Sequence, residues 1–243
     1  MKPSHLIVIF WFIFSPFCFS QNTSKLNTAQ NCSYMKQIEK EMICEINLLR
    51  SDPSNYIQYL QEEYDKARLE VAKYGKGKKS YSISRSYETI DGREKLVKTD
   101  TVWNNINEEE LKAIEDLIQE LKKMKPLSIL QPDKGLYSAA VKHAGDQTIH
   151  HWSLGHRGSD GSWPWDRIKK YSPKMKDGNE NLAGKYPEPT AREILILLLI
   201  DSGIPGYGHR ENILNPVWTH GACYSAGLHE GMYQWVQEFG NAK

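Results

Sequence analysis

The chain of 243 residues has the length of one domain, or of one domain with an insertion. Its apolar and charged fractions, 40% and 25%, are ordinary for a globular protein and exclude wholesale disorder. The formal net charge is +1, so no excess of basic residues points to nucleic acid, and we expect no nucleic-acid partner.

The amino terminus has the pattern of a secretory signal peptide. A basic start precedes an apolar run over residues 6–14, and the small residues Cys18 and Ser20 precede Gln21. This run is short for a membrane anchor, which is the alternative, and no later run is long enough to span a bilayer. We therefore predict a signal peptide over residues 1–20 and a secreted or extracytoplasmic mature protein that does not span the membrane.

Three cysteines remain once Cys18 leaves with the signal peptide. In an oxidising compartment, an odd count permits one disulfide and one free thiol. Cys44 lies in a helical stripe and Cys223 in a strand-like run, so each can also be a buried small apolar residue. We favour a disulfide between Cys32 and one of these two, and the sequence does not choose between them.

The first part of the chain reads as helices separated by polar segments. Residues 21–33 form a polar leader, and residues 34–50 then place apolar side chains at helical spacing. Pro53 can open a second helix, because proline is tolerated in the first helical turn. Residues 65–105 are polar and partly basic, and we predict an insertion there, either a hairpin or a solvated surface loop.

Helix caps mark two further helices. Asn107 and Glu110 match a capping box, and a later helix begins near Asp133. This later helix and its end carry three histidines: His143, His150 and His151. They are weak candidates for metal ligands, because no acidic residue accompanies them at ligand spacing.

The last part combines loops, one buried helix and a terminal hairpin. Residues 152–185 read as loops with a short helix within 162–171. Thr190 caps a helix that reaches Asp201, and its apolar residues lie on all sides, which predicts deep burial. Residues 221–239 alternate around a turn and predict two strands.

Helices followed by a hairpin that needs covering predict an α+β layered fold. We expect a single domain over residues 34–243, interrupted by the polar insertion at about 65–105.

The tripeptide Gly-His-Arg occurs twice, with its histidines at His156 and His209, and two carboxylates, Glu180 and Asp201, lie between them in sequence. We predict that these four side chains converge on one pocket from separate glycine-rich loops. Such a set can bind a transition metal, support catalysis, or hold loops together through hydrogen bonds.

Five short segments occur in a specific order: EINLLR at 45–50, GHRG at 155–158, ENLA at 180–183, GHRENIL at 208–214 and QEFG at 237–240. Together they resemble the CAP superfamily of cysteine-rich secretory proteins, insect venom allergens and plant pathogenesis-related proteins. The chain is most similar to the SCP-like extracellular branch. The resemblance implies an α-β-α sandwich with a central antiparallel sheet.

The resemblance also implies a cavity lined by two histidines and two acidic residues that can hold a divalent metal. His156, Glu180 and His209 match three of these positions. Asp201 takes the fourth, where Leu198-Leu199-Ile200-Asp201 replaces the family's aromatic-x-x-Glu pattern. The candidate metal ligands are the two histidines, the candidate ion is zinc, and the sequence requires no other cofactor.

Two classes of function fit these residues. The first is a secreted binding or interaction module whose cavity takes a lipid, sterol, peptide or cell-surface partner, as the resemblance implies. The alternative is a metal-dependent hydrolase that uses the His156, Glu180, Asp201 and His209 cluster. We favour the binding module over an enzyme, because the segment around Ser159 does not match the Gly-x-Ser-x-Gly motif of a serine nucleophile.

Overall fold

The structure of the protein is a computed structural model that describes five ranges of the chain: residues 24–74, 80–90, 93–104, 106–153 and 155–242. The predicted signal peptide lies outside these ranges. Within them, no helix is both long enough and apolar enough to cross a membrane.

From Gln37 onward, the helices of the described ranges, in chain order, are α1 (Gln37–Ser51), α2 (Pro53–Tyr56), a 3-10 turn (Ile57–Leu60), α3 (Gln61–Tyr74), α4 (Ile106–Lys123), α5 (Lys134–Ile149), α6 (Pro164–Tyr171), α7 (Ala191–Ile200) and α8 (Gly208–Leu214). The strands are β1 (Ser80–Ile90), β2 (Arg93–Asn104), β3 (Gln131–Pro132), β4 (Asp177–Lys185), β5 (His220–His229) and β6 (Met232–Asn241).

The central sheet has four strands in the order β3-β5-β6-β4. β6 pairs antiparallel with both β5 and β4, whereas the two-residue β3 runs parallel to β5. The long strands therefore form the predicted antiparallel sheet, and β4 is its outer strand on one side.

Helices cover both faces of this sheet. Cys223 and Trp235 pack into the large core that contains α1, α4 and α7. Their neighbours in sequence point to the other face, where Ala222 packs with Leu136 of α5 and Val236 packs with Ala140 of α5. Because successive residues of a strand face opposite sides, this pattern is that of an α-β-α sandwich. The predicted fold class is confirmed.

Apolar periodicity explains why α1 and α7 lie where they do. Met42, Ile46 and Leu49 of α1 recur at helical spacing and are fully buried. α7 is capped by Thr190 as predicted, and its apolar side chains are buried, with one exception. Leu197 is 41% exposed and lines a cleft that Asp201 and His209 also line.

The segment predicted as a polar insertion contains a two-stranded hairpin. β1 and β2 pair antiparallel from Ser80 opposite Asn104 to Ile90 opposite Arg93. This favours the hairpin over the solvated loop. Residues 65–74 belong instead to α3, where Ala67 is buried in the main core, so the irregular segment begins later than expected.

Two elements near the candidate site differ from the sequence-based prediction. The sequence predicts a loop over residues 177–185, because Gly178 and Gly184 are poor strand residues. These residues form β4, which pairs along its whole length with β6. The sequence also places the second Gly-His-Arg in a loop, but this tripeptide opens α8. In both places the tertiary environment overrides local propensity.

The predicted disulfide is wrong in this structure, since Cys32, Cys44 and Cys223 are all free. Cys32 is hydrogen-bonded to the side chain of Tyr34. Cys44 lies outside the buried stripe of α1, whereas Cys223 lies inside the core, where burial raises the pKa of its thiol well above the ordinary value. The three thiols therefore occupy separate environments, and Cys223 acts as a buried apolar residue.

Arg50 at the end of α1 connects distant parts of the chain. Its buried guanidinium donates hydrogen bonds to the carbonyls of Ser128, Ile213, Asn215 and Trp218 at 2.8–3.1 Å. Burial lowers the pKa of Arg50 to about 10, so it stays charged at neutral pH. These bonds hold the connection between α8 and β5 against α1, and they fix the position of α8.

Candidate functional site

The first histidine–carboxylate pair is built around Glu180 on β4. The Glu180 side chain is fully buried, and its Oε1 lies 3.0 Å from His156 Nδ1. Arg167 of α6 donates to Glu180 Oε2 at 2.7 Å and to the His156 carbonyl at 3.0 Å. Arg167 therefore fastens the His156 loop to β4 and also neutralises the buried carboxylate.

His143 of α5 extends this cluster. Its Nε2 lies 2.9 Å from the Gly155 carbonyl and 3.6 Å from Glu180 Oε1. Burial lowers the pKa of His143, so the neutral ring donates its Nε2 proton to Gly155. Gln147 donates to the same carbonyl at 2.7 Å. α5 thus holds Gly155, directly before His156, while α6 holds the His156 carbonyl.

Glu238 of β6 faces Glu180 across the β4–β6 ladder. It is fully buried, and no donor among the described residues contacts its carboxyl oxygens. Burial and repulsion from Glu180 raise the pKa of Glu238 well above its ordinary value. Burial alone would raise the pKa of Glu180. The hydrogen bond from His156 and the nearby positive charges outweigh burial, so the pKa of Glu180 lies below its ordinary value. The two shifts therefore favour a proton on Glu238 and a negative charge on Glu180.

The second pair, Asp201 and His209, is local. Asp201 ends α7 in the left-handed region with φ 52°, which Asp tolerates better than most residues. Its Oδ1 lies 2.6 Å from His209 Nδ1, and its Oδ2 accepts from the His209 main-chain N–H at 2.9 Å. One carboxylate therefore fixes the orientation of the His209 ring and also bonds the main chain in the first turn of α8.

The two pairs meet at the outer edge of the sheet. The rings of His156 and His209 have centroids 6.5 Å apart, with 42% and 20% of their side-chain surfaces exposed. The Asn181 side chain of β4 donates to the His209 carbonyl at 3.1 Å, and Asn212 donates to Asn181 at 2.8 Å. The structure thus brings the four predicted residues together as two separate pairs.

This arrangement does not fit a catalytic zinc site. Within the ranges that the structure describes, no three His, Cys, Asp or Glu side chains come together as a metal-ligand set. Glu180 and Asp201 each hold the Nδ1 side of a histidine, which is the role of an orienting partner. Only His156 and His209 remain as ligands, whereas catalytic zinc sites use three protein side chains.

The other predicted histidines lie apart from this set. His150 is 3.7 Å from Asp146, and the exposed His151 is 2.8 Å from Glu230. These are ordinary histidine–acid contacts, and neither brings a further ligand to the pairs.

A cleft of about 390 Å³ opens between β4 and α7, and we call it the β4–α7 cleft. Its apolar walls are formed by Leu182, Ala183, Ile196, Leu197, Leu198, Ile200 and Ile204. One polar end is formed by Asp201 and His209, and the charged rim by Glu63, Glu110, Lys185 and Glu193. A concave site that combines apolar walls with polar groups at one end is typical of ligand binding.

Sequence reasoning did not place His143, Arg167 or Glu238 beside Glu180, and it named His143 only as a weak candidate metal ligand. Each lies on an element that the sequence did predict, but their convergence depends on contacts between distant segments. The QEFG motif contains Glu238 and was the one local signal that could have drawn attention to it.

The fold and the paired histidines define a class of protein: an α-β-α sandwich that carries two histidine–carboxylate pairs at its sheet edge. The model of the CAP domain, described as the cysteine-rich secretory protein family, matches residues 27–239. The chain therefore belongs to the cysteine-rich secretory protein family, as its motifs predicted.

Two solved structures are similar to parts of the chain. An outer surface protein from Borrelia burgdorferi is 24% identical, with a TM-score of 0.41, covering 56% of this chain and 95% of that one. An extracellular SCP-domain protein from Bacillus anthracis is 19% identical, with a TM-score of 0.37, covering 53% of this chain and 38% of that one. Among curated proteins, none matches the chain.

Proposed function

We propose that the protein is a secreted binding module whose ligand lies in the β4–α7 cleft. The observation that carries this proposal is the apolar wall of the cleft, in which Leu197 and Ile204 leave 41% and 43% of their surfaces exposed. Exposed apolar side chains that share one concave site are typical of a binding surface.

The polar end of the cleft supports a ligand with a hydrogen-bonding group. Asp201 contacts Nδ1 of His209, so Nε2 is the ring nitrogen left for a ligand. A hydroxyl or an N–H group of a ligand can donate to this atom, while the rest of the ligand contacts the apolar walls. Such a division between apolar walls and one polar anchor orients a ligand.

The structure gives no support to the metal-dependent hydrolase, the other function that the sequence suggested. Glu180 is held by Arg167 and His156, and both oxygens of Asp201 are bonded to His209, so each carboxylate is already engaged by protein groups. We therefore do not propose catalysis at these pairs.

Binding in the cleft is tested with Leu197→Arg, which places a long, charged side chain on the apolar wall of the cleft. The matched control is Val217→Arg, because Val217 is 46% exposed and lies outside the cleft. The probes are a fluorescent fatty acid, a fluorescent sterol and a pool of random seven-residue peptides. We expect at least one probe to bind the wild type and the control equally, and Leu197→Arg at least tenfold more weakly. If no probe distinguishes Leu197→Arg from the control, the proposal fails.

The secreted location rests on the signal-peptide pattern over residues 1–20. It is tested by expressing the full chain in a secreting host and sequencing the amino terminus of the exported protein. We expect it to begin at Gln21. Retention of the intact chain inside the cell would contradict this part of the proposal.

A further inference from the structure

The outer edge of β4 differs between its two halves. In the first half, the Glu180 N–H donates to the Asn179 side chain at 2.9 Å, and the Glu180 carbonyl accepts from Asn212 of α8 at 3.3 Å. Both main-chain groups of Glu180 therefore point away from β6, and side chains already satisfy them. α8 covers this half of the edge.

The second half, residues 182–185, is open, and we call it the open half of β4. Main-chain groups of an antiparallel strand alternate in direction, so Leu182 and Gly184 point outward as Glu180 does. Across the described ranges, no hydrogen-bond partner meets either residue from the outer side. Two donors and two acceptors are thus presented in a row, which is the arrangement that an added strand requires.

Pockets flank the open half of β4 on both faces of the sheet. The β4–α7 cleft lies on one face, and a second pocket of about 320 Å³ lies on the other. Leu182, Ala183 and Gly184 line both of them. The second pocket also contains Trp152 and the 45% exposed Met232. Because side chains of a strand alternate between faces, an added strand would place successive side chains in the two pockets in turn.

The rim of the cleft carries an acidic side chain, Glu110, that favours peptides with a basic residue. Glu110 of α4 lies there with Glu63, and burial, with repulsion from Glu63 and Glu70, raises the pKa of Glu110. Glu63 is paired with Lys66 at 2.9 Å, but within the described residues Glu110 has no cationic partner. A Lys or Arg side chain on a ligand would supply that partner.

We propose that the open half of β4 binds an extended peptide segment of a partner protein as a fifth strand. An apolar side chain of this segment enters the β4–α7 cleft beside Leu197, and a Lys or Arg side chain approaches Glu110. This inference rests on the proposed function, because it names the ligand class of the same cleft.

A peptide satisfies this site better than a lipid does. A lipid chain would fill the apolar walls, but it would cover the main-chain groups of Leu182 and Gly184 without giving them hydrogen bonds. Burying donors and acceptors without partners costs free energy. A peptide main chain restores those bonds at the spacing that β4 presents.

The experiment begins with a displayed library of random seven-residue peptides. The library is selected on the wild-type protein and depleted on Leu197→Arg. We expect enriched sequences to alternate apolar residues and to carry Lys or Arg towards one end. The strongest peptide is then synthesised with N-methyl groups on either of its two alternating sets of amides. One set should weaken binding at least tenfold, because its N–H groups point at β4, and the other set should change binding less than twofold.

Two measurements on the protein locate the added strand. Peptide binding should slow hydrogen exchange of the Leu182 and Gly184 amides and leave Ala183 unchanged, since Ala183 already bonds to β6. Glu110→Gln should weaken the basic peptide three- to tenfold. Its control is Glu115→Gln, because Glu115 is exposed on the same helix and lies outside the cleft.

The outcomes separate this inference from the proposed function. If the fatty acid or the sterol binds in a Leu197-dependent way and no peptide does, the cleft remains a binding site and the added strand is overturned. If both N-methylated peptides bind like the parent, the added strand is also overturned. If the protein forms a dimer in which the Leu182 and Gly184 amides are protected from exchange, the strand that pairs with β4 comes from a second copy of this chain. That result would overturn the proposal that a segment of a different protein binds there. If no probe depends on Leu197, both proposals fail.

Discussion

The two histidine–carboxylate pairs have the same chemistry but very different construction. His156 and Glu180 are 24 residues apart, and their pair draws in side chains from α5, α6 and β6. Asp201 and His209 are eight residues apart and join the end of α7 to the start of α8. The first pair depends on the whole sandwich, whereas the second depends on one turn.

Burial makes this difference an energetic one. Glu180 has no exposed side-chain surface, and its Arg167 partner leaves only 4% exposed. Removing one partner of a buried ion pair strands the other charge in a medium that solvates it poorly. Asp201 is also buried, but among the described residues its one ion-pair partner is His209, and no buried arginine pairs with it as Arg167 pairs with Glu180. We therefore expect the first pair to control stability and the second to shape the end of the cleft.

The largest effect is expected for Glu180→Ala, which leaves Arg167 buried without its carboxylate. We expect a loss of about 3–5 kcal/mol in the free energy of unfolding, measured by urea denaturation. The control is Glu230→Ala, because the Glu230–His151 pair is exposed and should contribute within about 1 kcal/mol. If Glu180→Ala lowers the free energy of unfolding no more than Glu230→Ala does, the Glu180 pair does not control stability.

A pH dependence should come from Glu238 in the same cluster. The folded-state pKa of Glu238 is raised, so its contribution is fully present below the ordinary carboxyl pKa and is lost as pH rises through the raised value. In that window the folded state holds one proton more than the unfolded state. Glu238→Gln should remove this dependence, changing the slope of unfolding free energy against pH by roughly 1 kcal/mol per pH unit.

Urea denaturation of the wild type and Glu238→Gln between pH 5 and 8, in about four steps, measures this slope. Glu180 acts in the opposite direction, because its pKa is lowered and its contribution is lost as pH falls. Glu238→Gln leaves the loss of stability at low pH, which comes from Glu180, in place. The contributions of Glu180 and Glu238 to the pH dependence can therefore be separated. Parallel curves for the two proteins would show that Glu238 ionises alike in both states.

A smaller effect is expected at the local pair. Asp201→Ala removes both hydrogen bonds to His209 and places a residue that disfavours left-handed φ at the end of α7, for a loss of about 1–3 kcal/mol. Asp201→Asn keeps an acceptor and tolerates the same φ, so it should lose less than half as much. Thermal unfolding of both variants measures the difference. Equal losses would mean that neither the acceptor nor the backbone conformation matters.

The contrast between the pairs also explains what could be predicted from sequence. α1 and α7 follow from apolar periodicity and a capping box, and β5 and β6 follow from alternation around a turn. These signals are local. β4 was missed because its Gly and Asn residues suit a loop, and only pairing with β6 makes it a strand. The Asp201–His209 contact lies within eight residues, but no local pattern revealed the geometry of their turn.

The cluster around Glu180 could be predicted only in part. The resemblance placed His156 and Glu180 in one cavity, but Arg167, His143 and Glu238 reach it from three separate elements. Periodicity assigns a residue to a face of its own helix or strand, and it does not say which distant side chain meets it there. The predicted disulfide failed for the same reason, since a count of cysteines contains no distances.

The hydrogen bonds of Arg50 have a consequence for the order in which the chain folds. Three of its acceptors lie 163, 165 and 168 residues further along the sequence. Until those carbonyls have been synthesised, the guanidinium at the end of α1 cannot be buried with its full set of partners. Contacts of such high sequence separation slow folding, because a long loop must close before they form. The full set of Arg50 hydrogen bonds can therefore form only after residues 213–218 have been synthesised, and a chain truncated before them would leave the end of α1 without three of its four acceptors.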